Sequence, residues 1–237
     1  GPILFGALYR SCDEDQPLYT QTPNFLQDDD FQNIKETVLH HPLRSSNDGE
    51  LGPEYFKGTE GFVVKFNQQG VEEIYQNEYL QAFVPFFQKT ALVDANAFVL
   101  QVLFCNSSGT SEEDVVGVHV DDTLGIESKH IFLPHEVDVL YINVPEDMEG
   151  GSLKLWHYDH NPVRKEGLEP CVVVNPVENT LVTFRGDAVH AVQGFISESE
   201  EFRISIILEQ YKVPQKYYPD TITFQLNTTK GDAISQE

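Results

Sequence analysis

The second half of the chain is a series of short apolar segments separated by polar turns. The segments are 98–104, 115–120, 137–144, 152–156, 171–174, 180–184, 189–195 and 202–208. Each is rich in β-branched or aromatic residues and is bounded by Gly, Pro, Asn or Asp, as strands are. About eight such strands with no long helix between them predict a mainly β fold, with a double-stranded β-helix core of the jelly-roll, cupin-like type.

The first part of the chain follows a different pattern. Between Val71 and Leu92, apolar residues recur every three or four positions, which predicts a helix that Pro85 kinks or splits. Residues 1 to about 60 are rich in Asp, Gln, Asn and Pro and predict no long element. We therefore expect a single domain over 1–237, with an irregular and helical N-terminal cover in 1–95, the β-helix core in 96–213 and a C-terminal tail in 214–237 that is loose at its end.

The chain is strongly acidic. Its 237 residues include 38 Asp and Glu against 15 Lys and Arg, which gives a formal charge of −23. Such a field repels phosphate backbones, so nucleic acid is not an expected partner. A small anionic ligand is still compatible with this charge, because a few local arginines can dominate a pocket.

The cysteines and the apolar runs bear on the compartment. Cys12, Cys105 and Cys171 are widely spaced and form neither a zinc motif nor a disulfide framework. This usage favours a reducing, cytoplasmic compartment. No apolar run approaches the roughly 18 residues of a membrane helix, and the N-terminus lacks a secretory pattern. We therefore expect no membrane partner.

Polar motifs stand at the ends of several predicted strands. His119 and Asp121 end an apolar strand and, at positions i and i+2, point to the same side of it. His190 opens a later strand. Two imidazoles and one carboxylate on one face of a metal leave positions open, as in non-haem iron(II) sites. Arg203 and Ser205 share a face of the last strand, and an arginine fork beside a hydroxyl suits a carboxylate.

These motifs, in this order, resemble those of the iron(II)/2-oxoglutarate-dependent oxygenases, and within that superfamily the prolyl 4-hydroxylase-like branch. The likeness extends from about Phe98 to Tyr211. The matching pieces are His119-Val120-Asp121 for the proximal ligands, Tyr141-Ile142-Asn143 and Gly150-Gly151 for the branch's Tyr-Leu-Asn strand and Gly-Gly turn, His190 for the distal ligand, and Arg203-Ile204-Ser205 for the Arg-x-Ser element. A lone His-x-Asp is a weak signal, whereas the ordered set is specific.

The resemblance implies an enzyme, an Fe(II)/2-oxoglutarate-dependent dioxygenase that hydroxylates an unactivated C–H bond and releases succinate and CO2. The implied cofactors are Fe(II), the cosubstrate 2-oxoglutarate and O2, with ascorbate as a candidate stimulant. The implied substrate is a small molecule, an amino acid or a peptidyl side chain. The implied roles are iron binding for His119, Asp121 and His190, and 2-oxoglutarate binding for Arg203, Ser205 and Tyr141.

Two departures from the family pattern narrow this expectation. Arg203 stands where proline-specific members of the branch often have lysine, so it does not mark a collagen-type enzyme. Asp121 is present where a halogenase would have a small residue that admits chloride. The resemblance therefore favours hydroxylation or a related oxidation.

Other readings of the same residues stay open. The same cofactors can drive desaturation or oxidative cyclisation. A cupin-like metalloprotein would share the fold without using 2-oxoglutarate, and a non-catalytic jelly-roll module would need no metal. A second His-x-Asp, His157-Tyr158-Asp159, is an alternative ligand pair, but it follows the Gly-Gly turn and has no Tyr-x-Asn strand after it.

Overall fold

The computed structural model describes residues 8–47, 56, 58–126, 130–227 and 234–235. The α-helices are α1 (Asp28–Leu39), α2 (Val71–Gln76) and α3 (Val84–Thr90). The strands are β1 (Leu8–Tyr9), β2 (Tyr19–Thr22), β3 (Ser45–Ser46), β4 (Thr59–Asn67), β5 (Ala97–Cys105), β6 (Asp114–His119), β7 (Ile131–Phe132), β8 (Glu136–Asn143), β9 (Glu149–Gly150), β10 (Leu153–Trp156), β11 (Val172–Val174), β12 (Leu181–Arg185), β13 (Val189–Gln193), β14 (Phe195–Ile196), β15 (Arg203–Tyr211), β16 (Phe224–Asn227) and β17 (Ile234–Ser235). Every predicted apolar segment overlaps a strand, so the mainly β prediction is confirmed.

Two antiparallel sheets form the core. The large sheet has the order β17-β16-β4-β5-β15-β8-β12-β2, and the small sheet has the order β11-β10-β13-β6. Buried side chains from both sheets belong to one cluster, including Val139 and Phe184 of the large sheet and Leu153 and Val192 of the small one. Two sheets packed over a shared core are the predicted jelly-roll arrangement.

The helices cover the outer face of the large sheet. Ile34 of α1 and Phe86 of α3 are buried in one cluster with Phe98, Leu100 and Val102 of β5. Alternate residues along a strand point to opposite faces, so the intervening positions of β5 are left for the interior between the sheets. No α-helix in the described part of the chain is long and apolar enough to cross a membrane.

The N-terminal region contributes a long strand to the large sheet, in addition to covering it. β4 has nine residues and pairs with β5 along its whole length, from Thr59 opposite Cys105 to Asn67 opposite Ala97. The expectation of only irregular and helical structure before residue 96 is therefore wrong at β4. Phe62 and Phe66 of β4 lie on the face of the sheet that the helices cover, and the positions beside them face the interior between the sheets. Part of the C-terminal tail also joins the large sheet, because β16 pairs with β4. Both strands exist because of partners far along the chain, which local patterns do not reveal.

The predicted helix between Val71 and Leu92 is split, as expected. α2 ends at Gln76, a 3₁₀ turn occupies Gln81–Phe83, and α3 follows. The break precedes Pro85, which lies in the first turn of α3. Proline is tolerated there because its missing N–H would have no partner within the helix.

Gly61 allows β4 and β5 to approach each other. Its φ is +149°, and a Cβ at this position would lie 1.8 Å from the carbonyl oxygen of Val102. That oxygen is backbone in the centre of the sheet and cannot move aside. Any other residue at position 61 would therefore separate the two strands locally.

Two neighbouring acids of the large sheet, the buried Asp138 and the half-buried Glu136, make the fold sensitive to pH. Gln210 donates to Asp138 Oδ2 at 2.6 Å and to Glu136 Oε2 at 3.3 Å, and Thr183 donates to Asp138 Oδ1 at 2.7 Å. Burial and the neighbouring Asp138 raise the pKa of Glu136 from 4.5 to about 8. Because the folded chain then binds more protons than the unfolded chain, this group stabilises the fold less as pH rises from about 4.5 to 8.

We expect Glu136→Gln to remove this part of the pH dependence. The amide cannot ionise, so the variant should gain stability over the wild type progressively between pH 5 and 8, a window set by the pKa shift. The measurement is urea unfolding of both proteins at several pH values in that window. Parallel curves, with a constant difference in the free energy of unfolding, would contradict the assignment to Glu136.

Candidate metal centre and anion pocket

The three predicted metal ligands meet at one end of the small sheet. His119 is the last residue of β6, and His190 in β13 lies directly opposite it in the strand pairing. Asp121 lies two residues after the end of β6, and its carboxylate lies 3.2 Å from His119 Nε2 and 3.3 Å from His190 Nε2. The three potential ligand atoms lie within 4.8 Å of one another, and all three side chains are buried.

The backbone presents both imidazoles in the tautomer that a metal requires. His119 Nδ1 lies 2.7 Å from the carbonyl oxygen of Gly117, and His190 Nδ1 lies 3.0 Å from that of Ala188. A carbonyl only accepts hydrogen bonds, so each Nδ1 carries the proton. Each Nε2 then faces Asp121 and is the nitrogen left to bind a metal, which is the usual arrangement of metal-binding histidines.

Burial and the short distances between the three side chains set their protonation states. Burial lowers the pKa of His119, and the neighbouring His190 lowers it further. Burial alone would raise the pKa of Asp121 and lower that of His190, but the attraction between the two groups is stronger. The pKa of Asp121 is therefore well below its usual range and the pKa of His190 is raised. A carboxylate and two imidazoles are a donor set that fits a divalent iron.

The residues predicted to bind a carboxylate lie on the large sheet. Arg203 and Ser205 are two apart on β15, and Ser205 lies directly opposite Tyr141 of β8. Arg203 Nε donates to the carbonyl oxygen of Gly151 at 2.8 Å. Gly151 has a φ of +76°, which L side chains rarely adopt, so the Gly-Gly turn gives the arginine its backbone acceptor.

Arg203 is a buried charge without a counterion. Its side chain is 2% exposed. Among the described residues no carboxylate lies within ion-pair distance of its guanidinium. The guanidinium lies 5.3 Å from the centre of the Tyr141 ring, and the Tyr141 hydroxyl has no hydrogen-bond partner in the described part of the chain. An unpaired buried charge beside an unpaired hydroxyl is costly, and an anionic ligand would satisfy both.

One cavity connects the two sets of residues. It is lined by the three candidate ligands and by Arg203, Ser205 and Tyr141. Most of the remaining wall is apolar and consists of Phe56, Leu103, Val116, Val137, Val139, Leu153, Phe184, Val192 and Ile207. The structure therefore brings all six sequence-predicted site residues to a single, mostly apolar space.

Sequence reasoning singled out none of the ten other residues of this wall, among them Gln101 and Phe56. Gln101 is the one neutral amide in the lining, and it is 6% exposed. Phe56 lies with its ring centre 6.0 Å from that of His119. A signal existed for Gln101, since it is the single polar residue within the apolar segment 98–104. No local pattern distinguishes Phe56 from other phenylalanines.

The second His-x-Asp motif lies elsewhere. His157 is exposed and lines a surface cavity with Arg10, Arg185 and Asp187. Asp187 is buried and pairs with both arginines, at 2.8 Å and 3.0 Å. Within the described ranges, His119, Asp121 and His190 are the only group placed to share a metal. His157 and Asp159 therefore do not form an alternative ligand pair with a third residue in this structure.

Comparison with known proteins supports the fold. No family model and no curated protein matches this sequence. Solved structures do match. A prolyl hydroxylase from Trichoplax adhaerens, solved with a peptide fragment of the hypoxia inducible factor oxygen degradation domain, has a TM-score of 0.51 and 14% identity over 82% of this chain and 84% of its own. IDO from Bacillus thuringiensis has a TM-score of 0.52 and 14% identity over 83% of this chain and 91% of its own.

At 14% identity these similarities establish the fold alone. The chain shares the fold of a prolyl hydroxylase, as the sequence motifs predicted. The chemistry of the site has to be argued from the residues of this chain, and the two clusters that face one cavity supply that argument.

Proposed function

We propose that the protein is an Fe(II)/2-oxoglutarate-dependent oxygenase that hydroxylates an unactivated C–H bond. One observation carries the proposal. A buried His-Asp-His cluster and a buried arginine without a counterion line the same cavity. A structural metal site would need no unpaired arginine, and a simple anion site would need no metal ligands. The fold of the solved relatives is consistent with this assignment.

One group of residues in the cavity would bind the metal, and another would bind the cosubstrate. His119, Asp121 and His190 would hold iron(II), and Arg203 would bind the distal carboxylate of 2-oxoglutarate. When bound, iron and 2-oxoglutarate supply the oxidising power for C–H cleavage, with O2 consumed and succinate and CO2 released. Arg203 can offer two parallel N–H donors to a carboxylate, which fixes both the position and the orientation of the cosubstrate.

Hydroxyl groups and apolar walls complete the site. Ser205 and the unpaired hydroxyl of Tyr141 can each donate to the same carboxylate. The apolar lining keeps water from the cavity, and low polarity strengthens the attraction between Arg203 and an anion. Gln101 is a neutral polar residue of the lining that would be available to form hydrogen bonds with the substrate. The chain's own contribution is therefore orientation and the exclusion of water.

The substrate class is proposed more broadly than the cofactors. We propose a small molecule, an amino acid or a peptidyl side chain, and the peptide bound by the Trichoplax adhaerens relative is compatible with the last of these. We also propose that the chain is a single domain and acts in the cytoplasm, where its three free cysteines would stay reduced. Neither nucleic acid nor a membrane is proposed as a partner.

The test is succinate formation from 2-oxoglutarate by the purified protein with Fe(II), O2 and ascorbate. We expect slow succinate release without substrate and faster release with a true substrate from a panel of amino acids, small metabolites and peptides. No succinate release from 2-oxoglutarate with any member of a broad panel would favour the cupin-like alternative, which does not use 2-oxoglutarate. Mass spectrometry of the product separates hydroxylation, which adds one oxygen atom, from desaturation or cyclisation, which removes two hydrogens.

A further inference from the structure

A buried carboxyl group on the large sheet lies against the loop that carries Asp121. Glu209 belongs to β15, on the same face as Arg203 and Ser205, because residues two apart along a strand share a face. Its side chain is 2% exposed. The mechanism proposed above gives Glu209 no task.

Glu209 is joined to this loop by Thr123. The Thr123 hydroxyl lies 2.9 Å from both carboxyl oxygens of Glu209, and the Tyr211 hydroxyl donates to one of them. The next residue of the loop, Leu124, is buried in a cluster with Tyr211. The large sheet therefore holds the chain two residues after Asp121, while β6 of the small sheet holds it at His119, two residues before.

Stability alone does not explain a carboxyl group at this position. Among the described residues no Lys, Arg or His atom lies within ion-pair distance of Glu209. Burial raises its pKa well above the usual range, the negative charge of Asp121 raises it further, and the positive charge of Lys65 offsets only part of this rise. A buried acid with no cation at ion-pair distance destabilises a fold relative to an apolar residue of similar volume. Its hydrogen bonds to Thr123 and Tyr211 are the contacts that the acid adds.

We propose that Thr123 and Glu209 form a brace that positions Asp121 for a divalent cation and so sets the cation affinity of the site. This inference rests on the proposed function only in requiring that a cation binds there. Asp121 lies outside any strand, and its carboxylate contacts the two histidines rather than a group that would fix it independently. Its orientation therefore follows from the backbone on either side. Metal sites need their ligands within about 0.5 Å of the productive geometry, so a looser loop weakens binding.

The test compares two substitutions at one position. Thr123→Ser keeps the hydroxyl, and Thr123→Val replaces it with a methyl group of the same shape. The probe is Mn²⁺, which is stable in air, titrated calorimetrically into the metal-free protein without 2-oxoglutarate. We expect Thr123→Val to weaken Mn²⁺ binding about tenfold and Thr123→Ser to bind like the wild type, since groups that orient metal ligands change affinity by about 10- to 100-fold.

Thermal unfolding without metal separates positioning from stability. We expect the melting temperatures of the two variants to lie within about 4 °C of each other, as for the loss of one hydrogen bond in a chain of this size. Glu209→Gln retains an acceptor oxygen for Thr123 and should keep Mn²⁺ affinity closer to that of the wild type than Thr123→Val does.

The outcomes are distinct. Equal Mn²⁺ affinity in Thr123→Val and Thr123→Ser would overturn the brace while leaving the proposed function intact. A lower melting temperature for Thr123→Val with unchanged Mn²⁺ affinity would also overturn it, because the contact would then be structural only. A wild-type protein that binds no Mn²⁺ would overturn the proposed function, and the brace with it.

Discussion

His119→Ala is expected to lower both Mn²⁺ affinity and 2-oxoglutarate-dependent succinate release by at least about 100-fold, the upper range seen for groups that only orient ligands. The imidazole contributes one of the three ligand atoms that meet within 4.8 Å, and alanine leaves a cation with two. Water could fill the vacated position but carries no restraint from the fold. Calorimetric titration and a succinate assay measure the two losses separately.

The second His-x-Asp motif provides the matched control. His157→Ala removes an imidazole from the same sequence pattern, but His157 is exposed and lies apart from the cluster. We expect this variant to retain the Mn²⁺ affinity and the turnover of the wild type. Equal losses in His119→Ala and His157→Ala, or full activity in both, would contradict the assignment of the metal centre.

The core strands could be predicted because their signal is local. Segments such as 98–104 and 137–144 are short, apolar and bounded by turn residues. Each corresponds to a strand whose ends lie within one residue of the predicted ones. β4 was not predicted because Gly61 and Lys65 weaken its pattern. Its existence depends on nine residues of pairing with β5, whose sequence lies 38 positions further along. Propensity alone does not anticipate pairing at such separation.

The site could be predicted as far as its motifs have fixed spacing. His119 and Asp121 follow from the period of a strand, and Arg203 and Ser205 follow from the same period at the other end of the core. The convergence of these pairs came from a family resemblance and not from the residues themselves. Glu209 and Thr123 carry no such spacing rule, since they are 86 positions apart and meet only because two sheets face each other. Contacts between sheets are therefore the part that sequence reasoning leaves out.

Arg203→Met is expected to weaken 2-oxoglutarate binding strongly while leaving the metal-free fold about as stable as the wild type. Losing the hydrogen bond to Gly151 costs about 1 kcal/mol, but removing a buried charge without a counterion compensates by a similar or larger amount. The ligand loses its only buried cation in the described part of the cavity, which costs about 2–5 kcal/mol of binding, or about 30- to 4,000-fold in affinity. The separation of these two effects distinguishes a ligand-binding arginine from a structural one.

The measurements are calorimetric titration of 2-oxoglutarate into the Mn²⁺-loaded protein and urea unfolding of the metal-free protein. Arg164→Met is the matched control, because Arg164 is exposed. This variant should bind 2-oxoglutarate like the wild type. Arg203→Lys should recover only part of the affinity, since an ammonium group keeps the charge but not the planar pair of donors. An Arg203→Met protein that binds 2-oxoglutarate normally but unfolds at much lower urea would reverse the interpretation. The arginine would then serve the fold, and the anion pocket would have to be sought elsewhere in the chain.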